Sequence, residues 1–239
     1  MLVASTDNSE LQKVFRSLSG EFELTNLGDV SHFLGMEVRR VEGAYNIRLQ
    51  SYIEELLKTH GMSEAKPAKS PMDPGYLKDQ SESKPLEDAA KYRSVVGSLL
   101  YLSVVARPDI ANSAAILGRK FSNPTELDWT AAKRVLRYLK KTKNYTLRLG
   151  GAFDEPLSGY SDANWAGDLQ SRRSTSGYAF MFGGATISWA SRGQSSVTLS
   201  SMEAECVALS EACQEAIWLR LLLADFDRRQ SRMSRFRSY

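Results

Sequence analysis

The chain is short of the residues that assign a class at sight. Its 239 residues include only two cysteines and two histidines. Cys206 and Cys213 fall two turns apart on one predicted helix, too far for a disulfide, so they read as small reduced core or interface residues, which fits an intracellular setting. His32 and His60 lie far upstream of the acidic motifs, and no histidine or nucleophile pattern supports an unrelated carboxylate hydrolase. No apolar run reaches the roughly 18 residues that a membrane span needs. Residues 1–5 are too short for a signal peptide and lack its basic start; they read as a strand met partway. There is little charge of either sign in excess. The net charge of +3 and pI of 8.8 cannot by themselves argue for a nucleic-acid partner. Internal repeats are absent.

What is present is ordinary for a folded chain, with 42% hydrophobic and 25% charged residues, enough for one or two domains. Two stretches stand apart. Residues 63–86 gather Pro67, Pro71, Pro74 and Pro85 among Lys, Ser, Asp and Glu, and read as a polar linker. The last residues carry Arg228, Arg229, Arg232, Arg235 and Arg237.

Between these landmarks the apolar periodicity alternates. A strand is expected at 2–5, a helix at 10–19 capped by Asn8 or Ser9, and a hairpin of 32–40 and 44–50 turning at Glu42-Gly43. A helix capped by Ser51 ends at His60-Gly61, where His60 reads as a capping residue. Three helices follow: 87–106, one opening at Pro108, and 125–141. The last has Trp129, Ala132, Val135, Leu136 and Leu139 inward, and Lys133, Arg137, Lys140 and Lys141 on another face. Such a basic face is either solvated or tracks phosphates. Strands are then expected at 145–149, 157–161, 175–182 and 186–191, the last two joined by Gly183-Gly184, with a closing helix at 201–224. A meander with a helix laid on it is an α+β arrangement.

The chemistry concentrates in the meander and that helix. At 100° per residue, Glu205 shares a face with Ala208, Leu209, Ala212, Ala216, Leu219 and Leu223. A carboxylate on a stripe that faces a sheet is costly unless paired or metal-bound. Asp162, at the end of the strand Leu157-Ser158-Gly159-Tyr160-Ser161-Asp162, is the natural partner, with a divalent cation between the two. Glu203 competes with Glu205 but lies about 160° away, on the face expected to meet solvent. Asp168 reads as a turn residue after Gly167, with a supporting metal or substrate role as the alternative. Trp165 and Trp189 read as core side chains, with base-stacking platforms as the alternative.

Several strings, in order, resemble the C-terminal part of a copia-type LTR retrotransposon Pol polyprotein. They are Asp162-Ala163-Asn164-Trp165-Ala166-Gly167-Asp168, Arg173-Ser174-Thr175-Ser176-Gly177-Tyr178, Ile187-Ser188-Trp189, and Leu199-Ser200-Ser201-Met202-Glu203-Ala204-Glu205. Upstream, Phe33-Leu34-Gly35-Met36-Glu37-Val38 resembles the end of the polymerase palm. Tyr92-Arg93-Ser94-Val95-Val96-Gly97-Ser98-Leu99-Leu100-Tyr101-Leu102 and Arg107-Pro108-Asp109-Ile110 resemble the thumb and connection. The resemblance implies a partial palm (1–62), a linker (63–86), a helical thumb and connection (87–144), an incomplete ribonuclease H-like domain (145–224) and a basic tail outside the family pattern (225–239).

It further implies Mg²⁺- or Mn²⁺-dependent hydrolysis of RNA in an RNA–DNA hybrid, with Asp162 bridging two metals and Glu205 holding one. Read from their chemistry, Arg172, Arg173 and Ser174 could contact phosphate or a 2′-hydroxyl, the alternative for the arginines being a solvated hairpin edge, and Lys133, Arg137 and Lys140 could track the backbone. A cytoplasmic particle or the nucleus is the compartment implied. The polymerase aspartates and the third metal carboxylate of the family pattern have no counterpart, leaving Asp225 and Asp227 as the nearby acids. The expectation is therefore an impaired ribonuclease H. The alternative is an inactive transposon-derived remnant that binds nucleic acid weakly, with an exposed sheet edge.

Overall fold

The computed structural model describes residues 1–5, 7–77, 83–150, 155–169 and 171–226, and the backbone of 236–238. Chain order is α1 (Asn8–Ser19), β1 (His32–Phe33), β2 (Met36–Val41), β3 (Ala44–Arg48), α2 (Gln50–Thr59), α3 (Ala89–Val105), a 3₁₀ turn (Pro108–Ile110), α4 (Ala111–Gly118) and α5 (Glu126–Lys141). Then come β4 (Leu147–Leu149), β5 (Ser158–Asn164), β6 (Thr175–Phe182), β7 (Ala185–Gly193), α6 (Ser201–Asp225) and β8 (Phe236–Ser238).

Turn chemistry sets the first sheet. Glu42 (φ 50°) and Gly43 (φ 79°) are both left-handed, which matches the strand twist of a two-residue hairpin. The same device at Leu34-Gly35 joins β1 to β2, giving the antiparallel order β1-β2-β3-β4. The expectation at 2–5 is not met: these residues form no strand, and no described strand pairs with them to supply a ladder. The α1 cap is Asp7, whose carboxylate accepts from the Ser9 amide, rather than Asn8 or Ser9. β4, which the sequence groups with the later strands, pairs instead with β3 (Ile47 opposite Leu147).

Helices α2 to α5 enclose the larger core, with Ile53, Val95, Leu99, Leu102, Leu117, Leu136 and Leu139 around Tyr92. Thr125 and Asp128 form a reciprocal cap on α5, and the Asp128 carboxylate also accepts from the buried Tyr76 hydroxyl. The proline-rich stretch expected to be a free linker runs along α5 in its described parts. The Ala68 amide donates to the Arg137 carbonyl, Pro85 bridges Thr125, and Tyr76 is buried.

The second sheet has the order β7-β6-β5-β8. β5 to β7 form the expected antiparallel meander, and Gly183 and Gly184 (φ 57° and 74°) make its hairpin turn. Helix α6 buries Ala204, Ala208, Ala212, Ala216, Leu219 and Leu223 against it. The approach is close because small residues meet. Gly159 leaves the space that the Phe180 ring fills, and an added Cβ would lie 2.3 Å from that ring. The backbone of β8 pairs in parallel with Gly159–Ser161, covering part of the β5 edge expected to be bare. The sheet face away from α6 docks on the helical unit, where Trp189 Nε1 donates to the Ser103 carbonyl (2.7 Å) and Ser191 bonds Asn112 (3.2 Å).

Candidate metal and nucleic-acid site

Helix α6 begins with a cap that explains one acid. Ser200 Oγ accepts from the Glu203 amide, and the Glu203 carboxylate accepts from the Leu199 amide at 2.6 Å. Glu203 is thus exposed and committed to the helix start. Glu205 differs. It lies at the flank of the buried stripe rather than at its centre, since Ala204 heads the stripe and Leu209 is partly exposed. From that flank its Oε1 accepts from the Ala163 amide (3.2 Å), while Oε2 is buried with no hydrogen-bond partner. A buried carboxylate oxygen without a partner is unfavourable, and a cation is the usual remedy.

Asp162 is one residue before that amide. Gly159 and Ser161 are buried beneath α6, whereas Tyr160, Asp162 and Asn164 are exposed. Alternation therefore sends the Asp162 side chain to the face opposite α6. Glu205 reaches around the β5 edge just past Ser161, where the β8 pairing ends. Its Oε1 meets an amide nitrogen only two covalent bonds from the Asp162 Cα. The two acids thus flank the carboxyl end of one strand, between an antiparallel and a parallel neighbour, a common place for ligands in mixed sheets.

A third carboxylate is not near. Among the described residues no group of three or more His, Cys, Asp or Glu side chains could hold a metal. Asp225 ends α6 and, at 1.5 Å per residue, stands about 30 Å along the helix from Glu205. Asp227 and the arginines 228, 229, 232 and 235 lie outside the described residues, as does the Arg237 side chain.

The loop from β5 to β6 holds the remaining candidates. Ser174 is fully buried. Its hydroxyl bonds Thr198 Oγ1 (2.9 Å) and accepts from the Ala166 amide (3.0 Å), so it fastens the loop and cannot meet a 2′-hydroxyl. Arg172 (φ 55°) and Arg173 are exposed. Asp168 is the turn residue expected: its carbonyl accepts from the Arg172 amide and its carboxylate from the Ser171 amide. Trp165 is 46% exposed rather than a core side chain, although its Nε1 donates to the Thr198 carbonyl.

The basic face of α5 is partly committed. Arg137 Nε and Lys140 Nζ donate to the carbonyls of Lys66 and Ala65, and Lys133 sits over the Trp129 ring. These bonds pin the proline-rich stretch to the helix.

Comparison with known proteins agrees with the strings read above. Residues 1–74 match the family described as reverse transcriptase (RNA-dependent DNA polymerase). Over 94% of its length the chain is 38% identical to the retrovirus-related Pol polyprotein from transposon TNT 1-94 of Nicotiana tabacum. Across 91% of its length it is 32% identical to an uncharacterized mitochondrial protein of Arabidopsis thaliana, of which it covers 90%. The chain belongs to the Pol polyproteins of copia-type retrotransposons.

It spans 18% of the tobacco polyprotein. Over 54% of its length this Pol chain is also 53% identical to a protein named secreted RxLR effector protein 161 of Plasmopara viticola, covering 90% of that protein. The reverse transcriptase-like stretch holds α1, the β1–β3 meander and α2. No helix among the described residues is long and apolar enough to cross a membrane.

Two features of the Pol chain escaped the sequence reading. Glu211 and Glu215 lie on the other flank of α6. Glu215 accepts from Ser188 Oγ (2.6 Å), and one Glu211 oxygen is buried without a partner. Arg119, just past α4, donates to Thr175 Oγ1 (3.0 Å) across the junction of the two units. A lone basic residue at a helix end carries no periodic signal that points to a distant strand.

Proposed function

We propose that β5 to β8 and α6 form a ribonuclease H-like unit whose chemistry is metal-assisted hydrolysis of the RNA strand of an RNA–DNA hybrid, with cleavage impaired. In this reading residues 1–62 are the end of a polymerase palm and 87–144 its thumb and connection. The observation that carries it is Glu205, with one oxygen on the Ala163 amide beside Asp162 and the other buried without a partner.

The two carboxylates would share one divalent cation at the end of β5 only with the Asp162 side chain turned about the strand edge toward Glu205, since alternation sends it to the face opposite α6. Asp162 and Glu205 would hold Mg²⁺ or Mn²⁺, with water and substrate phosphate at its remaining positions, as is usual for Mg²⁺. A cation held there would supply charge stabilisation at a phosphoryl oxygen and a more acidic bound water. The chain does the rest. The Ala163 amide fixes Glu205, exposed Asp162 meets the phosphate at the strand end, and Arg172 and Arg173 balance backbone charge. Two metals need more carboxylates than the described residues bring together, which is the reason for slow turnover.

A second reading, an inactive binder of nucleic acid, is favoured by β8. That strand lies beside β5 with the sequence Phe236-Arg237-Ser238, which has no acid. The deciding experiment follows release of labelled RNA from a hybrid in Mg²⁺ or Mn²⁺. Weak cleavage that Asp162→Asn abolishes supports the enzyme. A folded sample that binds hybrid without cutting it supports the binder. Cleavage undiminished in Asp162→Asn overturns the site assignment.

A further inference from the structure

Helix α6 carries a second apolar stripe that its sheet does not use. The buried stripe, from Ala204 to Leu223, lies on the sheet. Elsewhere on the helix Met202, Cys206, Leu209, Cys213, Ile217, Leu221 and Ala224 recur every three or four residues. At 100° per residue the two stripes are centred about 130° apart, so the second faces outward. Met202 is 75% exposed, Ile217 59% and Leu221 63%. Cys206 and Leu209 are exposed as well, and Cys213 is half-buried. A helix that is apolar on more than one side is ordinarily covered on more than one side.

Spacing, area and charge select what covers it. Intervals of three and four residues are those of one helix packed along another. At roughly 200 Å² for a fully exposed large side chain, Met202, Leu209, Ile217 and Leu221 leave about 450 Å² open, the size of the largest patch on an ordinary monomer. With the small and polar residues between them the arc offers roughly 700 Å² per copy, close to the share of each partner in a standard interface.

The stripe is also complementary to itself. Laid antiparallel on a second copy, about a twofold axis between residues 211 and 212, Met202 meets Leu221, Cys206 meets Ile217 and Ser210 meets Cys213. The same alignment puts exposed Arg220 on the side of the seam that holds Glu205, about 3 Å along the axis from Glu205 of the second copy. Opposite charges thus flank an antiparallel pair. A parallel pair would set Arg220 against its own copy, like charge on like.

We propose that the outer face of α6 is an interface with a second copy of this chain, closed as an antiparallel helix pair. The buried stripe holds α6 on its own sheet, and the outer stripe joins two such units. The interface is independent of the hydrolysis proposed above and holds for an inactive chain equally.

Sedimentation equilibrium of the full chain over the micromolar range is the test. The mass is expected to rise with concentration toward twice 26.7 kDa. Ile217→Glu puts an unpaired carboxylate in the seam and should weaken association by about tenfold or more. Val104→Glu alters an apolar residue of α3 that is just as exposed, and should leave the association unchanged. Disulfide trapping reads the direction. In a Cys213→Ser background, Ile217→Cys sets its new thiol opposite Cys206 of the second copy, and mild oxidation should link the chains. Cys213→Ser alone should not link, because the two Cys206 side chains lie about 16 Å apart along the axis, beyond the reach of a disulfide.

A chain that stays monomeric throughout overturns the proposal and leaves the stripe to a different occupant. A dimer that Ile217→Glu leaves intact, in a sample with native circular dichroism, overturns it because association then lies elsewhere. Equal weakening by Val104→Glu overturns it because the association is then not specific to the seam. Linking through Cys206 in Cys213→Ser alone overturns it because the pair is then parallel.

Discussion

Replacing Gly159 by alanine tests how the sheet holds the helix that carries Glu205. The new Cβ would lie 2.3, 2.8 and 3.0 Å from three atoms of the Phe180 ring, which is itself fully buried. The ring has little room to move, because it packs in one buried cluster with Leu157 and Tyr178 of the sheet unit and Ala212, Ala216, Leu219 and Leu223 of α6. Overpacking of this kind costs about 1–3 kcal/mol, occasionally more. For a chain of this size a loss of about 2–3 kcal/mol lowers Tm by roughly 5–10 °C. Phe180→Leu alone removes ring atoms and leaves a cavity, which is destabilising by itself. Combined with Gly159→Ala it should relieve the contact, with a favourable coupling of about 0.5–3 kcal/mol. Thermal and urea unfolding of the four proteins, followed by circular dichroism, measures the cycle. A Gly159→Ala protein within about 0.5 kcal/mol of wild type, or additive single effects, would refute the packing argument.

Three further outcomes follow from the same geometry. Ser174→Ala strands the Ala166 amide and Thr198 hydroxyl, and should destabilise by about 1–3 kcal/mol while hybrid binding per folded molecule is unchanged; weakened binding at equal folded fraction would restore Ser174 as a contact. Glu203→Ala removes half of the α6 cap and should lower stability by about 1 kcal/mol with no change in cation affinity; a large loss of affinity would move the site from Glu205 to Glu203. Burial, and then the charge of Lys91, depress the His60 pKa in the folded state. The unfolded chain then takes the proton first, so stability is full above the unfolded value of about 6.5 and falls as pH drops through the folded value. Urea midpoints at pH 8 and 5 should show this loss, and His60→Asn should reduce it; an equal loss in the variant would assign it elsewhere.

Local signals were legible. The helical spacing of Ala132, Val135, Leu136 and Leu139 announces α5, and all four are buried on it. Glu42-Gly43 and Gly183-Gly184 announce hairpins whose residues do take positive φ. Non-local partners were not legible. Nothing in Leu147–Leu149 says that it pairs with β3, and nothing in residues 2–5 says that no strand will lie beside them. The prolines of 63–86 suggest a tether, yet Arg137 and Lys140 seize its carbonyls from across the fold.

The site was read in part for the same reason. Helical geometry separates Glu205 from Glu203, and the cap on Leu199 gives the physical cause. Whether Ser174 is buried, whether Arg119 reaches Thr175 and where β8 lies all depend on contacts between distant segments. Hydroxyls and arginines look alike in sequence whether they face solvent or a neighbour.

The most direct test of the account is Mn²⁺ binding to the folded chain, followed by electron paramagnetic resonance. One bound ion per chain is expected, lost in both Asp162→Asn and Glu205→Gln and retained in Glu203→Gln. Unchanged Mn²⁺ binding in either of the first two variants would contradict the claim that these carboxylates share a cation.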